Sequence, residues 1–245
     1  MPQTQGRSLS ALTAAGVCAV ALVLPPAADG AGSDPLTEAA KAGDRATVAA
    51  LLEQGSDASA TGPDGTAPLH WAVRADALDT VDLLIAARAD VTVVNRYGVT
   101  PLVLAAENGN PAIVRSLLSA GADPNTATEA GETVLMVAAR TGRTDVLSQL
   151  LSRGAEVDAT ESWRGQTALM WSAAEDYADA VTALVTAGAD VEARSSRGMT
   201  PLLFAIRDGG LNAARALLAA GADVNAGINN TSRGTGSYTP AASGH

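Results

Sequence analysis

The side chains that carry most enzymatic and metal-binding chemistry are scarce in this sequence. Histidine occurs only at His70 and His245, and the only cysteine is Cys18. Two histidines so far apart do not supply the three or four ligands of a usual zinc site. The sequence also has no G-x-S-x-G motif, no phosphate-binding loop ending in G-K-[ST] and no G-x-G-x-x-G fingerprint. We therefore predict no catalytic residue, no cofactor and no metal site.

Carboxylates are plentiful, but their placement favours a structural role. Paired carboxylates can perform general acid–base catalysis. Here, however, many of them recur at one equivalent position, as do Asp123, Glu156, Asp190 and Asp223. The chain has 26 acidic and 16 basic residues, a net charge of −10. This balance argues against binding to nucleic acid, because a phosphate backbone repels an acidic surface.

Residues 1–31 have the pattern of a secretory signal peptide. Arg7 follows the amino terminus, residues 11–24 form a short apolar run, and Pro25 and small residues come next. This order is typical of a signal peptide, and the run is shorter than the roughly 20 residues of a membrane-spanning helix. We predict a periplasmic or secreted protein with no membrane insertion after cleavage; the alternative is an uncleaved anchor. Because Cys18 lies in this segment, the mature chain would contain no disulfide.

One short sequence motif, called a phrase below, recurs at a regular interval along the chain. Glycines stand at positions 65, 98, 131, 165 and 198. Three of the four intervals between them are 33 residues long, and the other is 34 residues long. Each glycine opens a related phrase, from Gly65-Thr-Ala-Pro-Leu-His to Gly198-Met-Thr-Pro-Leu-Leu, and an apolar pair such as Leu84-Ile85 or Leu117-Leu118 follows at a fixed distance. Such a period indicates a repeat protein, in which each unit buries its apolar face only against its neighbours.

These phrases resemble the ankyrin repeat, in a bacterial, exported form, over residues 33–225. The resemblance implies an all-α solenoid of about six stacked helix–turn–helix repeats with short projecting β-hairpin loops. The residues agree with it, since Thr100-Pro101 places a capping hydroxyl before a proline at the first helical position. Gly121 follows a second apolar stretch, where a left-handed residue ends a helix. The resemblance also implies that His70 is a structural hydrogen-bonding residue.

The repeat frame predicts the domain boundaries. A signal peptide covers residues 1–31 and the ankyrin domain covers residues 32–225, with repeats at about 33–61, 62–94, 95–127, 128–161, 162–194 and 195–225. Residues 226–245 are rich in Gly, Ser, Asn and Thr, yet they include Tyr238-Thr239-Pro240. They are either a disordered tail or the start of a truncated seventh repeat.

Three departures from the repeat pattern predict local differences. Arg88 stands where the other repeats have a helix-ending glycine, so we expect strain there, because a side chain disfavours left-handed backbone. Ala67 precedes Pro68, so that helix lacks the usual hydroxyl cap. One extra residue after Gly154 predicts a longer loop around Trp163.

The resemblance implies that a partner protein binds in a concave groove lined by loop tips and by the exposed edges of the first helices. Nothing obliges Tyr97 and Trp163 to lie on projecting loops, and aromatic and arginine side chains dominate binding hot spots. This face carries six arginines and six acidic residues, so it is nearly neutral, and we expect a partner of acidic or mixed charge. The predicted partner-binding residues are Arg96, Tyr97, Arg140, Trp163, Arg164, Arg197, Met199 and Arg207.

A second candidate surface is an apolar stripe along the first helices. Trp71, Leu104, Val137, Trp171 and Phe204 share one position in successive repeats. We interpret this stripe as packing between stacked helices; the alternative is a groove for a small molecule.

The sequence as a whole predicts a non-enzymatic, monomeric scaffold that binds another protein. A preorganised solenoid suits this role because it loses little conformational entropy on docking. The alternatives are a secreted effector that binds a host protein, a small-molecule binder or enzyme that uses the apolar stripe, and a fragment of a larger enzyme-associated protein.

Overall fold

Six helix pairs follow one another along the chain in the computed structural model, which describes residues 34–227. Within this range, β pairing is limited to one isolated antiparallel bridge between Ala127 and Thr133. The all-α, six-repeat solenoid is therefore confirmed, although its projecting loops are tight turns and not strand-paired hairpins. The predicted signal peptide and residues 228–245 lie outside the described residues. The helices are α1 (Pro35–Lys41), α2 (Arg45–Glu53), α3 (Pro68–Arg74), α4 (Leu78–Ala86), α5 (Pro101–Asn108), α6 (Pro111–Ser119), α7 (Val134–Thr141), α8 (Thr144–Ser152), α9 (Ala168–Ala174), α10 (Ala178–Thr186), α11 (Pro201–Asp208) and α12 (Leu211–Ala219).

The pairs stack into two rows of helices. The first helix of each repeat packs against the first helix of the next, from α1 to α11, and the second helices from α2 to α12 do the same. The core lies between these rows. The first-helix row buries small residues completely, including Ala105, Ala106, Ala138 and Ala139, and the second-helix row buries Leu84, Leu117, Leu150 and Leu184. Small side chains in the first row allow close approach of successive helices.

The motif threonines begin the first helices as predicted. Thr100 and Thr200 each accept a hydrogen bond from a backbone N–H in the first turn, and a proline follows each of them. Ala67 has no side-chain acceptor, so α3 lacks this cap. His70 stabilises the same turn in another way: its Nδ1 accepts from the Ala67 N–H at 3.2 Å, and its Nε2 lies 3.0 Å from the carbonyl oxygen of Val99 in the next repeat.

His70 is therefore a structural residue, as its place in the motif implied. Its side chain is fully buried. Burial lowers the pKa of His70, while the hydrogen bond to Val99 and the charge of Asp64 oppose that shift. The imidazole is thus held neutral, with Nδ1 as acceptor and Nε2 as donor.

The second residue after each of the second helices adopts left-handed backbone, which glycine permits at little cost. Gly121, Gly154 and Gly188 have φ values of 100°, 88° and 95°. Arg88 occupies the same position with a φ of 63°. The left-handed backbone expected at this residue is therefore confirmed.

Two aspartates share the left-handed conformation after first helices, a feature that the repeat pattern did not reveal. Asp76 has a φ of 54° and Asp176 a φ of 59°. Aspartate tolerates this region better than most residues. Each also binds the next repeat: Asp76 accepts from Asn110 Nδ2 at 2.7 Å, and Asp176 accepts from the Ala213 N–H at 2.7 Å. These bonds join neighbouring repeats at a strained position.

We expect Arg88→Gly to raise the free energy of unfolding by about 1 kcal/mol, because glycine removes the left-handed strain of the exposed arginine. The measurement is the urea midpoint at constant m value. Arg115→Gly, in the middle of α6, is the control and should lower stability by a similar amount, since glycine weakens a helix interior. A lower midpoint for Arg88→Gly would show that left-handed backbone at Arg88 does not lower the stability of the fold.

Candidate functional site

Five projecting loops connect the second helix of one repeat to the first helix of the next. We name them loop 1 to loop 5. In each, the backbone N–H of the first residue donates to the carbonyl oxygen of the last, at 3.0–3.1 Å, which holds the two ends together. The loops are residues 62–66, 95–99, 128–132, 161–166 and 195–199.

Backbone hydrogen bonds also join neighbouring loops. In each case a backbone N–H donates to a backbone carbonyl oxygen of the preceding loop. The bonds run from Arg96 to Asp64 at 2.9 Å, from Ser162 to Ala130 at 2.8 Å and from Ser196 to Arg164 at 2.7 Å. Among the described residues, loops 2 and 3 have no corresponding bond. Loops 1 and 2 therefore form one connected group, and loops 3 to 5 form another.

Loop 4 contains the extra residue and is built around a buried carboxylate. Glu161 is 2% exposed. Its two oxygens accept from the backbone N–H groups of Trp163, Arg164 and Gln166, at 2.8–3.0 Å. Three N–H donors replace the water that this charge loses on burial. The predicted longer loop is therefore present and is ordered by one side chain.

The first residue of loops 2, 3 and 5 plays the same part with a shorter side chain. Asn95 accepts from the N–H groups of Tyr97 and Val99, both at 3.0 Å. Thr128 and Ser195 each accept from the N–H of the last residue of their loop, both at 3.2 Å. Sequence reasoning missed this role, although a polar acceptor at each of these positions was a visible signal.

The loop tips present aromatic rings, each under an arginine. Tyr97 is 40% exposed and Trp163 is 56% exposed. The guanidinium of Arg96 lies 4.8 Å from the ring centroid of Tyr97, and that of Arg164 lies 4.1 Å from the ring of Trp163. Stacking of this kind is worth about 0.5–1 kcal/mol at exposed sites. The structure thus brings four predicted binding residues together as two stacked pairs.

The other predicted binding residues lie on separate elements. Arg197 is exposed on loop 5, and Met199 ends that loop half-buried. Arg140 and Arg207 lie near the ends of α7 and α11. A partner that contacted all of the predicted residues would therefore have to span several repeats.

Among the ion pairs of residues 34–227, the one between Arg140 and Glu132 is the most buried. Arg140 Nη2 lies 3.7 Å from Glu132 Oε1, and the guanidinium of Arg140 lies 5.8 Å from the ring centroid of Trp171. Burial raises the pKa of Glu132; the charge of Arg140 opposes this shift, and those of Glu107 and Glu161 add to it. The ion pair with Arg140 therefore does not fully compensate for the loss of water around Glu132.

Arg207 is also neutralised locally. It donates to both carboxylate oxygens of Asp208, and its guanidinium lies 4.7 Å from the ring of Phe204. The hydrogen bond to Asp208 raises the pKa of Arg207. Sequence reasoning counted the arginines of this face but could not see that some of them are already paired with acidic neighbours.

The apolar stripe is mostly packing between first helices. Leu104, Val137 and Phe204 are buried, whereas Trp71 and Trp171 keep part of their surface exposed. Lys41 lies over Trp71, with its Nζ 5.1 Å from the ring centroid. This burial favours the structural interpretation of the stripe over the small-molecule groove.

The described part of the chain lacks the features of two other kinds of site. No group of three or more potential metal-binding side chains occurs in residues 34–227. In the same range, no helix has the length and hydropathy required to span a bilayer.

The stacked helix pairs and their projecting loops define a class of repeat protein. Comparison with known families identifies this class. A family model described as "Ankyrin repeats (3 copies)" matches residues 12–95, 36–128, 79–161 and 135–228. The chain belongs to the ankyrin repeat family. Domains of this family are generally protein–protein interaction modules.

Solved structures support the same assignment. The ankyrin repeat domain of Bcl-3, described as a unique member of the IkappaB protein family, is 30% identical with a TM-score of 0.71; the match covers 79% of this chain and 89% of that one. The ankyrin repeat domain of human ASB11 is 26% identical with a TM-score of 0.71, and the match covers 79% and 86%. No curated protein sequence matches the chain significantly.

We expect Glu161→Ala to lower the free energy of unfolding by about 1–3 kcal/mol, because three backbone N–H groups of loop 4 lose their acceptor. Urea denaturation measures the change. Glu129→Ala removes an exposed glutamate from loop 3 and is the matched control, for which we expect almost no change. Equal midpoints for Glu161→Ala and wild type would contradict the role assigned to Glu161.

The raised pKa of Glu132 predicts a pH-dependent effect of Glu132→Gln. Between the unfolded and folded pKa values the folded chain binds more protons, so wild-type stability falls as pH rises through this window. Glutamine mimics the neutral form, and we expect the variant to be more stable than wild type at pH 7. The difference should disappear below the unfolded pKa of glutamate, about 4.3. Thermal unfolding at pH 7 and pH 3.5 tests this, and a difference that persists at pH 3.5 would exclude titration as its cause.

Proposed function

We propose that this chain is a non-enzymatic scaffold that binds a partner protein across its projecting loops and the groove beside them. The observation that carries the proposal is loop 4. Loop 4 exposes a tryptophan, Trp163. Buried Glu161 fixes the backbone of this loop, and Arg164, next to Trp163 in the sequence, stacks on the indole. A rigid, exposed aromatic anchor loses little entropy on binding, which is the property of a binding hot spot.

The charges of this surface favour a partner of mixed charge. Arg140 and Arg207 are paired with Glu132 and Asp208, so much of their charge is already balanced. Arg197 is exposed on loop 5, and Glu129 is exposed on loop 3. A partner with both basic and acidic side chains would complement these tips, and the encounter would weaken with added salt.

We further propose that the protein acts outside the cytoplasm, in the periplasm or after secretion, as a monomer. The support for export is the charge and hydropathy pattern of residues 1–31. A secreted effector that engages a host protein is a special case of this proposal. Detection of the protein outside the producing cell would distinguish that case from a periplasmic scaffold.

We expect the double variant Trp163→Ala and Arg197→Ala to weaken binding of the partner by about 30-fold or more, since a hot-spot residue contributes roughly 2 kcal/mol. The partner is first captured with the wild-type chain from its native compartment and identified. Its affinity for purified wild type and variant is then measured by calorimetric titration.

The matched control is Tyr177→Ala with Arg115→Ala. It removes one aromatic and one arginine from exposed positions outside the loops, Tyr177 between α9 and α10 and Arg115 on α6. We expect this control to retain wild-type affinity. If the loop variant also bound the partner with unchanged affinity, the loops would not be the binding surface.

A further inference from the structure

The row of projecting loops has its widest gap between loop 2 and loop 3. A Cβ atom built on Gly98 of loop 2 would lie 3.8 Å from the nearest atom of loop 3. The same atom built on Gly65, Gly131 or Gly165 would lie 3.2, 3.0 or 2.8 Å from the nearest atom of the following loop. The wide gap coincides with the place where neighbouring loops lack a backbone hydrogen bond. Loops 1 and 2 are thus separated from loops 3 to 5 by distance as well as by bonding.

The first helices show a similar difference at the same boundary, which lies between the third and the fourth repeat. A cation lies over an aromatic ring of the following repeat at two other boundaries. These pairs are Lys41 with Trp71, at 5.1 Å, and Arg140 with Trp171, at 5.8 Å. Glu107 of α5 and Val137 of α7 occupy the equivalent positions at the boundary between the third and fourth repeats. A carboxylate and a valine do not form such a contact.

The turn between the two helices of the third repeat also lacks a hydrogen bond to the next repeat. Asp76 and Asp176 make such bonds from the equivalent turns of the second and fifth repeats, both at 2.7 Å. The third repeat has Gly109 at this position, with a φ of 71°. Glycine has no side chain that could accept a hydrogen bond. The side chain of Arg143, from the fourth repeat, instead lies directly over Gly109.

The hydrogen bonds between the third and fourth repeats lie at the C-terminal ends of the second helices. Asn125 Nδ2 donates to the carbonyl oxygen of Gly154 at 3.1 Å, and Asn125 Oδ1 accepts from the N–H of Glu156 at 2.8 Å. Arg153 donates to two oxygen atoms at the end of α6, both at 3.1 Å. Within residues 34–227, and apart from the connecting chain around loop 3, these are the only hydrogen bonds between the two repeats.

Apolar packing holds the rest of this boundary together. The facing first helices bury Ala105, Ala106, Ala138 and Ala139. Hydrophobic contact does not depend on direction, so it keeps two helices together without fixing the angle between them. Hydrogen bonds and cation–π contacts depend on direction and do restrict that angle. At this boundary the restriction is therefore confined to the C-terminal ends of α6 and α8.

We propose that the boundary between the third and fourth repeats is a hinge, with its axis at the C-terminal ends of α6 and α8. Repeats 1–3 and repeats 4–6 move about this axis as two parts, each held together by the contacts described above. Tyr97 lies in the first part and Trp163 in the second, so the motion changes the distance between these two exposed rings. The hinge itself does not rest on the proposed function, whereas the use of this distance in binding does.

The test compares two distances between spin labels that are two repeats apart. Asp79, Asp145 and Asn212 are exposed and occupy the same position near the start of α4, α8 and α12, away from the proposed axis. In the full chain with Cys18→Ala, labels at Asp79→Cys and Asp145→Cys span the hinge. Labels at Asp145→Cys and Asn212→Cys lie within repeats 4–6 and are the matched control. We expect double electron–electron resonance to give a distance distribution at least twice as wide for the first pair, and equal widths would overturn the proposal.

A third pair of labels tests the position of the axis. Ala86 and Ser152 are the last residues of α4 and α8, and both are exposed. Labels at Ala86→Cys and Ser152→Cys span the same boundary but lie close to the axis. Because rotation about an axis displaces nearby points least, we expect this distribution to be as narrow as that of the control pair. A distribution as wide as that between positions 79 and 145 would overturn the proposal, since the two parts would then separate without a hinge at these helix ends.

Discussion

Burial between neighbours is the interaction on which the whole structure depends. A single pair of helices of seven to nine residues cannot bury both of its apolar faces, so each pair is stable only against the next. This explains why the first-helix row is filled with alanines such as Ala105 and Ala138, since small side chains bring the layers close. It also explains why the residues that end helices matter, because a helix one turn longer would displace its neighbour.

The repeat period predicted most of the fold because it encodes local requirements directly. The capping threonines, the left-handed position of Arg88 and the longer loop around Trp163 each follow from a residue type at a fixed place in the period. The period does not show what depends on contact between repeats. The bonds of Asp76 and Asp176 to the following repeat join groups that a single repeat does not contain.

At the candidate site, the sequence predicted which residues lie on the loops but not how the charged side chains pair. Sequence reasoning placed Tyr97 and Trp163 on projecting loops, and the structure exposes both. It counted six arginines and six acidic residues on this face but not their pairing, and Arg140 and Arg207 lie against acidic side chains and aromatic rings. An arginine held in this way has less freedom to lose on binding, but it also offers less unbalanced charge. Recognition by this face would thus rely on shape and stacking more than on net charge.

Loop 4 has a consequence for how a repeat array can vary. Its additional residue is absorbed between Glu161 and Gln166, and Thr167 still caps α9 as Thr133 caps α7. The insertion is thereby contained: it lengthens the tip without shifting the register of the helices that follow. A buried hydrogen-bond acceptor at the base of a loop thus allows the loop to lengthen without changing the spacing between the stacked helices. The height of individual tips can change in this way while the helical stack beneath them is preserved.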